Sequence, residues 1–196
     1  VAGPCHQDTP AGVLRIDVQT AQQMHDAVMR ELDTSKSDIF IAVAAVADWR
    51  VAQAATDHPV KVTIPGPLTI TDSVVDRHYG DRAALVADLA VAINAEVRAL
   101  VDAGCIHIQV DEPVFARRVD DALDFGVDAL ATCFAGVPDP VTRTVHCCCG
   151  YPRHLDDDDY EKAPPSAYLD IAEAVDAAPI DRFSLEDAHH PNDLAD

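Results

Sequence analysis

The stretch CIHIQVDEP, residues 105–113, runs from an apolar segment straight into a polar turn, and this arrangement decides the fold. Four of its first six residues are apolar and three of these are β-branched, as in a buried strand. Asp111 and Glu112 follow at once where the strand ends. The same order recurs in VTRTVHCCCG, residues 141–150, and in DRFSLE, residues 181–186. The sequence therefore predicts several strands that each carry polar side chains at their carboxyl ends.

Helical segments separate these strands. Residues 81–103 carry leucine, isoleucine and valine along one helical face, and Gly104 fits the cap that ends such a helix. Residues 119–134 and 168–177 also predict helices, and VKVTI, residues 60–64, predicts one more strand before a Pro-Gly-Pro break. Alternation of this kind predicts a parallel sheet covered by helices. In a β/α barrel the carboxyl ends of all strands open onto the face where active sites lie.

The first fifty residues predict a separate unit. VLRIDV, residues 13–18, resembles a strand, and the capping-box pattern TAQQ begins a helix at Thr20. DIFIAVAAVADW, residues 38–49, is nearly all apolar, as in a strand buried on both faces. We therefore expect a Rossmann-like βαβ fragment over residues 1–52. Weakly patterned residues then lead to a second domain over residues 60–196, an incomplete (β/α)8 TIM-type barrel.

Composition excludes several classes of partner. The 196 residues include 14 basic and 34 acidic ones, for a net charge of −20. Such a surface repels nucleic-acid phosphates and anionic lipid, so neither is expected as a partner. No apolar run reaches the length of a membrane span, and the first residues do not resemble a secretion signal. Three of the six cysteines are adjacent, which suits no disulfide framework, so a reducing cytoplasm is expected.

The segment HCCC, beginning at His146, allows three interpretations. In an extended chain His146 and Cys148 face one side, and such a pair is half of a tetrahedral zinc site. Glu186, at the end of the next strand, could supply an oxygen ligand. Alternatively, the cysteines fill the core and the histidine is a hydrogen-bonded core residue. A redox role is less favoured because adjacent cysteines form a strained pair.

The acidic pair Asp111 and Glu112 also has two interpretations. It is either a surface turn before proline or part of a site. In the second interpretation both are candidate catalytic residues. Asp111 would hold a substrate ammonium group, and Glu112 would hold another polar ligand.

Four motifs together resemble the catalytic barrel of cobalamin-independent methionine synthases, and in particular their short, single-barrel relatives. They are KVTIPGPLTITDSVVDRHYG, AGCIHIQVDEPVFA, VHCCCGYP and FSLEDAHHPNDL, which occur in the same order over residues 60–196. The resemblance implies a (β/α)8 barrel that transfers a methyl group from 5-methyltetrahydrofolate, or a related donor, to a zinc-bound thiol such as homocysteine.

Carried over by position, the resemblance implies zinc ligation by His146, Cys148 and Glu186, and binding of the homocysteine amino group by Asp111. The family's last zinc ligand, a cysteine far downstream of the glutamate, has no counterpart within the ten residues after Glu186. The family's downstream His and Asp for proton transfer also lack counterparts. Arg117 stands where the family has a folate-contacting glutamate, which leaves the donor open.

The N-terminal residues resemble a different enzyme. GPCHQDTPAGVLRIDVQTAQQMHDAVM, followed by AAVADWR at residues 44–50, is similar to phosphopantothenoylcysteine synthetase of the bifunctional coenzyme A biosynthesis flavoprotein. Its glycine-rich nucleotide loop and lysine-rich segment have no counterpart here, so ligase activity is not expected. The alternative to a methyltransferase is therefore a truncated or chimeric, non-catalytic chain. In that case exposed sheet edges would favour self-association into a homo-oligomer.

Overall fold

The structure, a computed structural model, describes residues 14–18, 23, 26–27, 30–31, 45–148, 163–164 and 166–186. The chain divides into two compact units, Val1–Ile41 and Ala42–Asp196. In the first unit Val18 and Ala27 are buried. Several sequence predictions fall outside the described residues, namely those for the strand at residues 38–44, for Cys149 and for the motif after Glu186.

The second unit is built on a four-stranded parallel sheet. Its strands follow one another in chain order across the sheet, as in a β/α barrel. The strands are β1 (Val62–Pro65), β2 (His107–Asp111), β3 (Thr142–Cys147) and β4 (Arg182–Leu185). The predicted parallel sheet is confirmed.

Helices connect and cover these strands. They are α1 (Ala45–Ala54), α2 (Pro67–Ser73), α3 (Arg82–Asp102), α4 (Val114–Arg117), α5 (Val119–Asp121), α6 (Val127–Cys133) and α7 (Ala167–Asp176), with a π-helical turn at Ala122–Gly126 between α5 and α6. The predicted helix at 81–103 is confirmed as α3. The Asp81 carboxylate accepts hydrogen bonds from the backbone amides of Ala83 and Ala84 at its start, and Gly104 has the positive φ expected just beyond its end. Within the described residues, no helix is both long and apolar enough to cross a bilayer.

The two faces of the sheet differ in chemistry because successive side chains of a strand alternate. One face is apolar and joins the helices in the core; its members include Ile64, Ile108, Val110, Val145 and Cys147. The opposite face is polar; its members include Thr63, Gln109, Asp111, Thr144, His146 and Ser184. The sequence-predicted site residues on the strands therefore lie on the face away from the helical core.

The prediction of a strand over residues 38–49 is wrong from residue 45 onward. There the chain forms α1, and its Trp49 is buried in the same core as the sheet. An apolar run of this kind fits a buried strand or a buried helix, and periodicity does not distinguish them. Four alanines in AVADWRVAQA favour the helix, since alanine has the highest helix propensity.

The predicted strand at residues 13–18 also differs from the structure. Among Leu14–Val18, Asp17 alone takes part in a β-bridge. The helix expected after Thr20 agrees with the helical state of the described residues 23, 26–27 and 30–31. The Rossmann-like βαβ fragment is therefore not confirmed.

Candidate active site at the carboxyl edge of the sheet

A row of paired backbone positions crosses the sheet where its strands end. Pro65 pairs with Asp111, Asp111 with His146, and His146 with Ser184. Side chains at paired positions of parallel strands point to the same face. The structure thus brings Asp111 and His146, both predicted from sequence, onto adjacent strands, on one face and at one level.

The imidazole of His146 is held by the neighbouring strand. Its Nδ1 lies 3.1 Å from the carbonyl oxygen of Ser184 and 3.2 Å from the Ser184 hydroxyl oxygen. The ring is half-buried. Because a carbonyl oxygen only accepts, the short contact requires that Nδ1 carries the hydrogen and donates it. In the neutral ring the lone pair is then on Nε2.

The other two predicted metal ligands follow the strand ends. Cys148 comes directly after β3 and is buried, and Glu186 comes directly after β4 and is half-buried. The Tyr168 hydroxyl oxygen, from α7, lies 3.3 Å from the backbone carbonyl oxygen of Cys147 and 3.1 Å from that of Glu186, and these two carbonyls share its single hydrogen. This tyrosine therefore joins the ends of β3 and β4 next to both predicted ligands.

The fit of these residues to zinc is mixed. An imidazole with its lone pair on Nε2, a thiol and a carboxylate are donors that zinc accepts, and they come from the ends of adjacent strands. However, in the part of the chain that the structure describes, no three His, Cys, Asp or Glu side chains are grouped closely enough to hold a metal ion. The donors therefore match zinc in type and in order along the sheet, but His146, Cys148 and Glu186 do not converge.

Asp111 is oriented by a chain of polar side chains on its own face. Gln109 Nε2 donates to Asp111 Oδ1 at 2.6 Å, and Lys61 Nζ donates to Gln109 Oε1 at 2.6 Å. Gln109 is buried. These contacts fix the Asp111 carboxylate at the edge of the sheet, beside His146, where it could accept hydrogen bonds from an ammonium group.

Glu112 points elsewhere. Its side chain is fully buried, and its carboxylate accepts hydrogen bonds from the backbone amides of Leu68 and Thr69, each at 2.9 Å, and from the Thr69 hydroxyl at 2.6 Å. These amides belong to the first turn of α2, which lacks partners inside its own helix. Burial raises the pKa of Glu112 to about 7, although the three hydrogen bonds act to lower it. The contacts favour a structural role for Glu112, as the cap of α2.

Gly66 leaves the room that this cap needs. A Cβ atom on Gly66 would overlap the carboxyl group of Glu112. The φ of Gly66 is −78°, a value that any residue adopts, so the requirement for glycine is steric. The Pro-Gly-Pro break predicted from the sequence thus leads into the short helix α2, and Glu112, at the end of the next strand, caps the first turn of this helix.

Three polar residues at this edge were missed by the sequence reasoning. Gln109 contacts Asp111, and Ser184 contacts His146. Tyr168 contacts the backbone carbonyls of Cys147 and Glu186. Ser184 could have been found from the sequence, because it stands two residues before Glu186 and alternation puts both on one face. Tyr168 could not, since its contact depends on how α7 packs.

A pocket of about 460 Å³ lies away from this row, between α7 and β4. It is lined by residues such as Val175, Ile180 and Arg182, and none of the row residues lines it. This pocket therefore does not identify the candidate site, which rests on the row at the carboxyl edge.

Known proteins resemble this chain in both of its parts. The family model of the DNA/pantothenate metabolism flavoprotein C-terminal domain matches residues 1–73. A methionine synthase of Saccharolobus solfataricus is 40% identical over 91 residues, which are 46% of this chain and 26% of that protein. A 5-methyltetrahydropteroyltriglutamate–homocysteine methyltransferase of Bradyrhizobium diazoefficiens is 31% identical over 155 residues, 76% of this chain and 18% of that protein.

A solved structure has the same fold. It is a B12-independent methionine synthase from Shewanella sp. W3-18-1 in complex with selenomethionine. It aligns with a TM-score of 0.62 and 27% identity over 74% of this chain and 42% of its own. The resemblance to cobalamin-independent methionine synthases is confirmed. The methionine-synthase-like chain thus spans less than half the length of each of these relatives.

The flavoprotein match also confirms the second resemblance, and it extends further than expected. It runs to residue 73, beyond the expected limit at residue 52, and so includes β1 and α2. The two resemblances therefore overlap in the segment that carries the Pro-Gly-Pro break.

Proposed function

We propose that residues 60–196 carry part of the catalytic domain of a methyltransferase of the cobalamin-independent methionine synthase type. In this proposal the four strands belong to an incomplete (β/α)8 barrel, and the carboxyl edge of the sheet is its active face. The pairing of Asp111 with His146 is the observation that carries the proposal, because the two residues are neighbours on one face of the sheet, as their proposed roles in binding an amino group and a metal require. Relatives named as methionine synthase and homocysteine methyltransferase support the reaction class.

In the proposed site His146, Cys148 and Glu186 would hold zinc, which requires these three side chains to come closer together than they are in this structure. The metal, when bound, lowers the pKa of an incoming thiol so that a thiolate is available at neutral pH. Asp111, oriented by Gln109, binds the amino group of a substrate such as homocysteine. The Shewanella relative, solved with selenomethionine, supports an amino acid bearing a methylated chalcogen as the product class.

The methyl donor is proposed as 5-methyltetrahydrofolate or a related compound. Arg117 occupies the position where the family resemblance implies a folate-contacting glutamate. Its guanidinium lies 3.6 Å from the Asp72 carboxylate, in a group that also includes Arg82 and Arg118. At the position expected to contact the methyl donor, this chain therefore has a positive charge in place of a negative one. A related methyl donor fits this difference as well as 5-methyltetrahydrofolate does.

A second candidate is a non-catalytic chain that combines a pantothenate-flavoprotein remnant with part of a barrel. The family match over residues 1–73 favours it, as does the lack of a three-donor group among the described residues. It predicts that the purified chain binds no zinc at His146.

Zinc binding separates the two candidates. The methyltransferase proposal requires that the three donors come together on zinc, so it predicts about one zinc per molecule of the wild-type chain. His146→Ala and Cys148→Ser should each lose this zinc, whereas His58→Ala, which removes an exposed histidine outside the site, should keep it. The measurement is metal content after dialysis, with competitive titration for affinity. Metal-free wild-type protein, or unchanged zinc in His146→Ala, would reject the methyltransferase proposal.

A further inference from the structure

We propose that Arg117, together with Arg82 and Arg118, forms an oxyanion-binding site near the carboxyl ends of β1 and β2, which takes a carboxylate or phosphate group of the methyl donor. The assignment of this group to the methyl donor rests on the proposed function. The binding of an oxyanion at Arg117 does not require zinc or methyl transfer, and it can be tested separately.

Three guanidinium groups meet at the carboxylate of Asp72. Arg118 Nε lies 2.7 Å and Arg82 Nη2 lies 3.2 Å from the same oxygen, Asp72 Oδ1, and both donate hydrogen bonds to it. Arg117 Nη2 lies 3.6 Å from the other oxygen, Oδ2, which is too far for a hydrogen bond. Within the described part of the chain, Arg117 is therefore the one arginine of the three whose N–H groups have no hydrogen-bond acceptor.

The acids of this cluster do not neutralise all of its arginines. The second acid is Asp121, whose Oδ2 lies 3.1 Å from Arg82 Nε and 4.0 Å from Arg118 Nη1. The carboxylate of Asp81, next to Arg82 in the chain, accepts hydrogen bonds from the first backbone amides of α3 instead. Among the described residues, three arginines therefore pair with two aspartates. In a chain with a net charge of −20, this local excess of positive charge favours an anionic ligand.

The cluster lies where the strands of the candidate site end. Asp72 is near the end of α2, which follows β1, and Arg117 ends α4, which follows β2. Arg82 begins α3, the helix that runs back from this end of the sheet towards the start of β2. An oxyanion held by Arg117 is therefore at the same end of the sheet as Asp111, where a methyl donor would have to bind.

The Arg117 side chain is open to a ligand while its position is maintained by the cluster. It is 39% exposed, whereas Asp72 is only 19% exposed. Burial acts to raise the pKa of Asp72, but the hydrogen bonds and charges of the neighbouring arginines hold it below its reference value of 3.8, so Asp72 stays a carboxylate. A guanidinium group presents parallel N–H donors that match the two oxygens of a carboxylate or phosphate. Arg117 has these donors available.

Oxyanion binding is tested by nuclear magnetic resonance on the metal-free full chain labelled with ¹⁵N-arginine. The side-chain Nε–H signals are followed at constant ionic strength during titration with inorganic phosphate, with succinate and with succinamide, an uncharged analogue of succinate. Arg117 is assigned by difference from Arg117→Gln. We expect saturable shifts of its signal with an oxyanion and none with succinamide. Tighter binding of phosphate would indicate a phosphate ester as the natural group, and tighter binding of succinate would indicate a carboxylate.

Three variants separate Arg117 from the general charge of the chain, with the Arg82 and Arg118 signals as the readout. Arg117→Gln should weaken oxyanion binding at least about tenfold, the effect of losing one hydrogen bond to a charged group. Arg117→Lys keeps the charge but loses the planar fork, so its affinity should be intermediate. The matched control is Arg98→Gln, which removes an exposed arginine near the other end of α3 and should bind oxyanions as the wild type does.

Unfolding by denaturant distinguishes a ligand-binding role from a structural one. Arg118→Gln removes the 2.7 Å hydrogen bond to Asp72 and should lower the midpoint of unfolding. Arg117→Gln removes a like charge from the cluster without breaking a hydrogen bond, so the midpoint should stay unchanged or rise. If Arg117→Gln lowers the midpoint as much as Arg118→Gln does, Arg117 serves to join the helices and the inference is wrong.

The failure of this inference differs from the failure of the proposed function. If neither oxyanion shifts the Arg117 signal saturably, or if Arg117→Gln binds as the wild type does, the oxyanion site is overturned whether or not the chain binds zinc. Absence of zinc in the wild type would reject the methyltransferase and, with it, the assignment of the oxyanion to a methyl donor. Saturable binding at Arg117 would still establish the oxyanion site.

Discussion

Asp111 and Glu112 are adjacent in sequence but serve opposite sides of the same sheet. Asp111 lies on the polar face, in a chain of hydrogen bonds with Gln109 and Lys61. Glu112 lies on the side of the helical core and caps α2. Alternation of side chains along an extended chain forces this division. An acidic pair at a strand end is therefore not one functional unit: one member is available to a site and the other to the scaffold.

Removal of each acid in turn is the strongest test of this comparison. Glu112→Ala should lower the free energy of unfolding by about 3 kcal/mol, because it leaves buried amides of α2 unpaired and opens a cavity. Asp111→Ala should lower it by less, about 1 kcal/mol, since Asp111 is only half-buried and its carboxylate accepts one hydrogen bond, from Gln109. Denaturant unfolding followed by circular dichroism measures both. Equal losses would show that the two acids do not divide their roles as the structure indicates.

Gly66 offers a more selective test of the capped side. Gly66→Ala should cost about 2 kcal/mol, because the added methyl group displaces the Glu112 carboxylate from its three hydrogen bonds. In the Glu112→Ala background the same change meets no carboxylate and should cost much less. A double-mutant cycle should therefore give a coupling of at least about 1 kcal/mol. Additive effects would argue against the steric conflict.

The smallest effect is expected at the ion pair between β3 and β4, at the amino ends of the strands. Hydrogen bonds from Arg143 hold the pKa of Asp181 down to about 2, from a reference value of 3.8. A lowered carboxyl pKa stabilises the fold above the reference value, and this contribution is lost as the pH falls through about 2. Asp181→Asn should remove that acid dependence.

The expected magnitude for Asp181→Asn at neutral pH is below about 1 kcal/mol, because both charged groups are partly open to solvent. Stability curves from pH 2 to pH 6, about the range that a carboxyl group covers, would measure it. Zinc affinity should not change, since the pair is at the other end of the strands. A loss of zinc in this variant would mean that the two ends of the sheet are not independent.

The strands and α3 were predictable because their patterns are local. The sheet residues follow one periodicity, and α3 has an acid at its start, an apolar face and a glycine beyond its end. The placement of Asp111 beside His146 followed from one further rule, that carboxyl ends of parallel strands share an edge. Both inferences needed no knowledge of how the helices pack.

The helical state of α1 and the cap formed by Glu112 both depend on tertiary packing. The alanine-rich apolar run of α1 is compatible with either a helix or a strand. In the structure it is a helix, and its Trp49 is buried in the core. Glu112 was predicted as a site residue because its sequence position is the same as that of a ligand at a strand end. Only the backbone amides of α2, 44 and 43 residues earlier in the chain, identify it as a cap.

The π-helical turn at Ala122–Gly126 has a consequence for tolerance to sequence length. A π turn holds one residue more than an α turn, and it ends here at Gly126, where a Cβ would approach the Phe115 ring at 3.0 Å. If the same residues formed a regular α-helix instead, the extra residue would rotate every later side chain of α6 by about 100°. Leu130 and Cys133 would then leave the core. The π turn therefore absorbs the extra residue and keeps two helical segments facing one interior, so the deletion of one residue within it should be tolerated better than a deletion within α6.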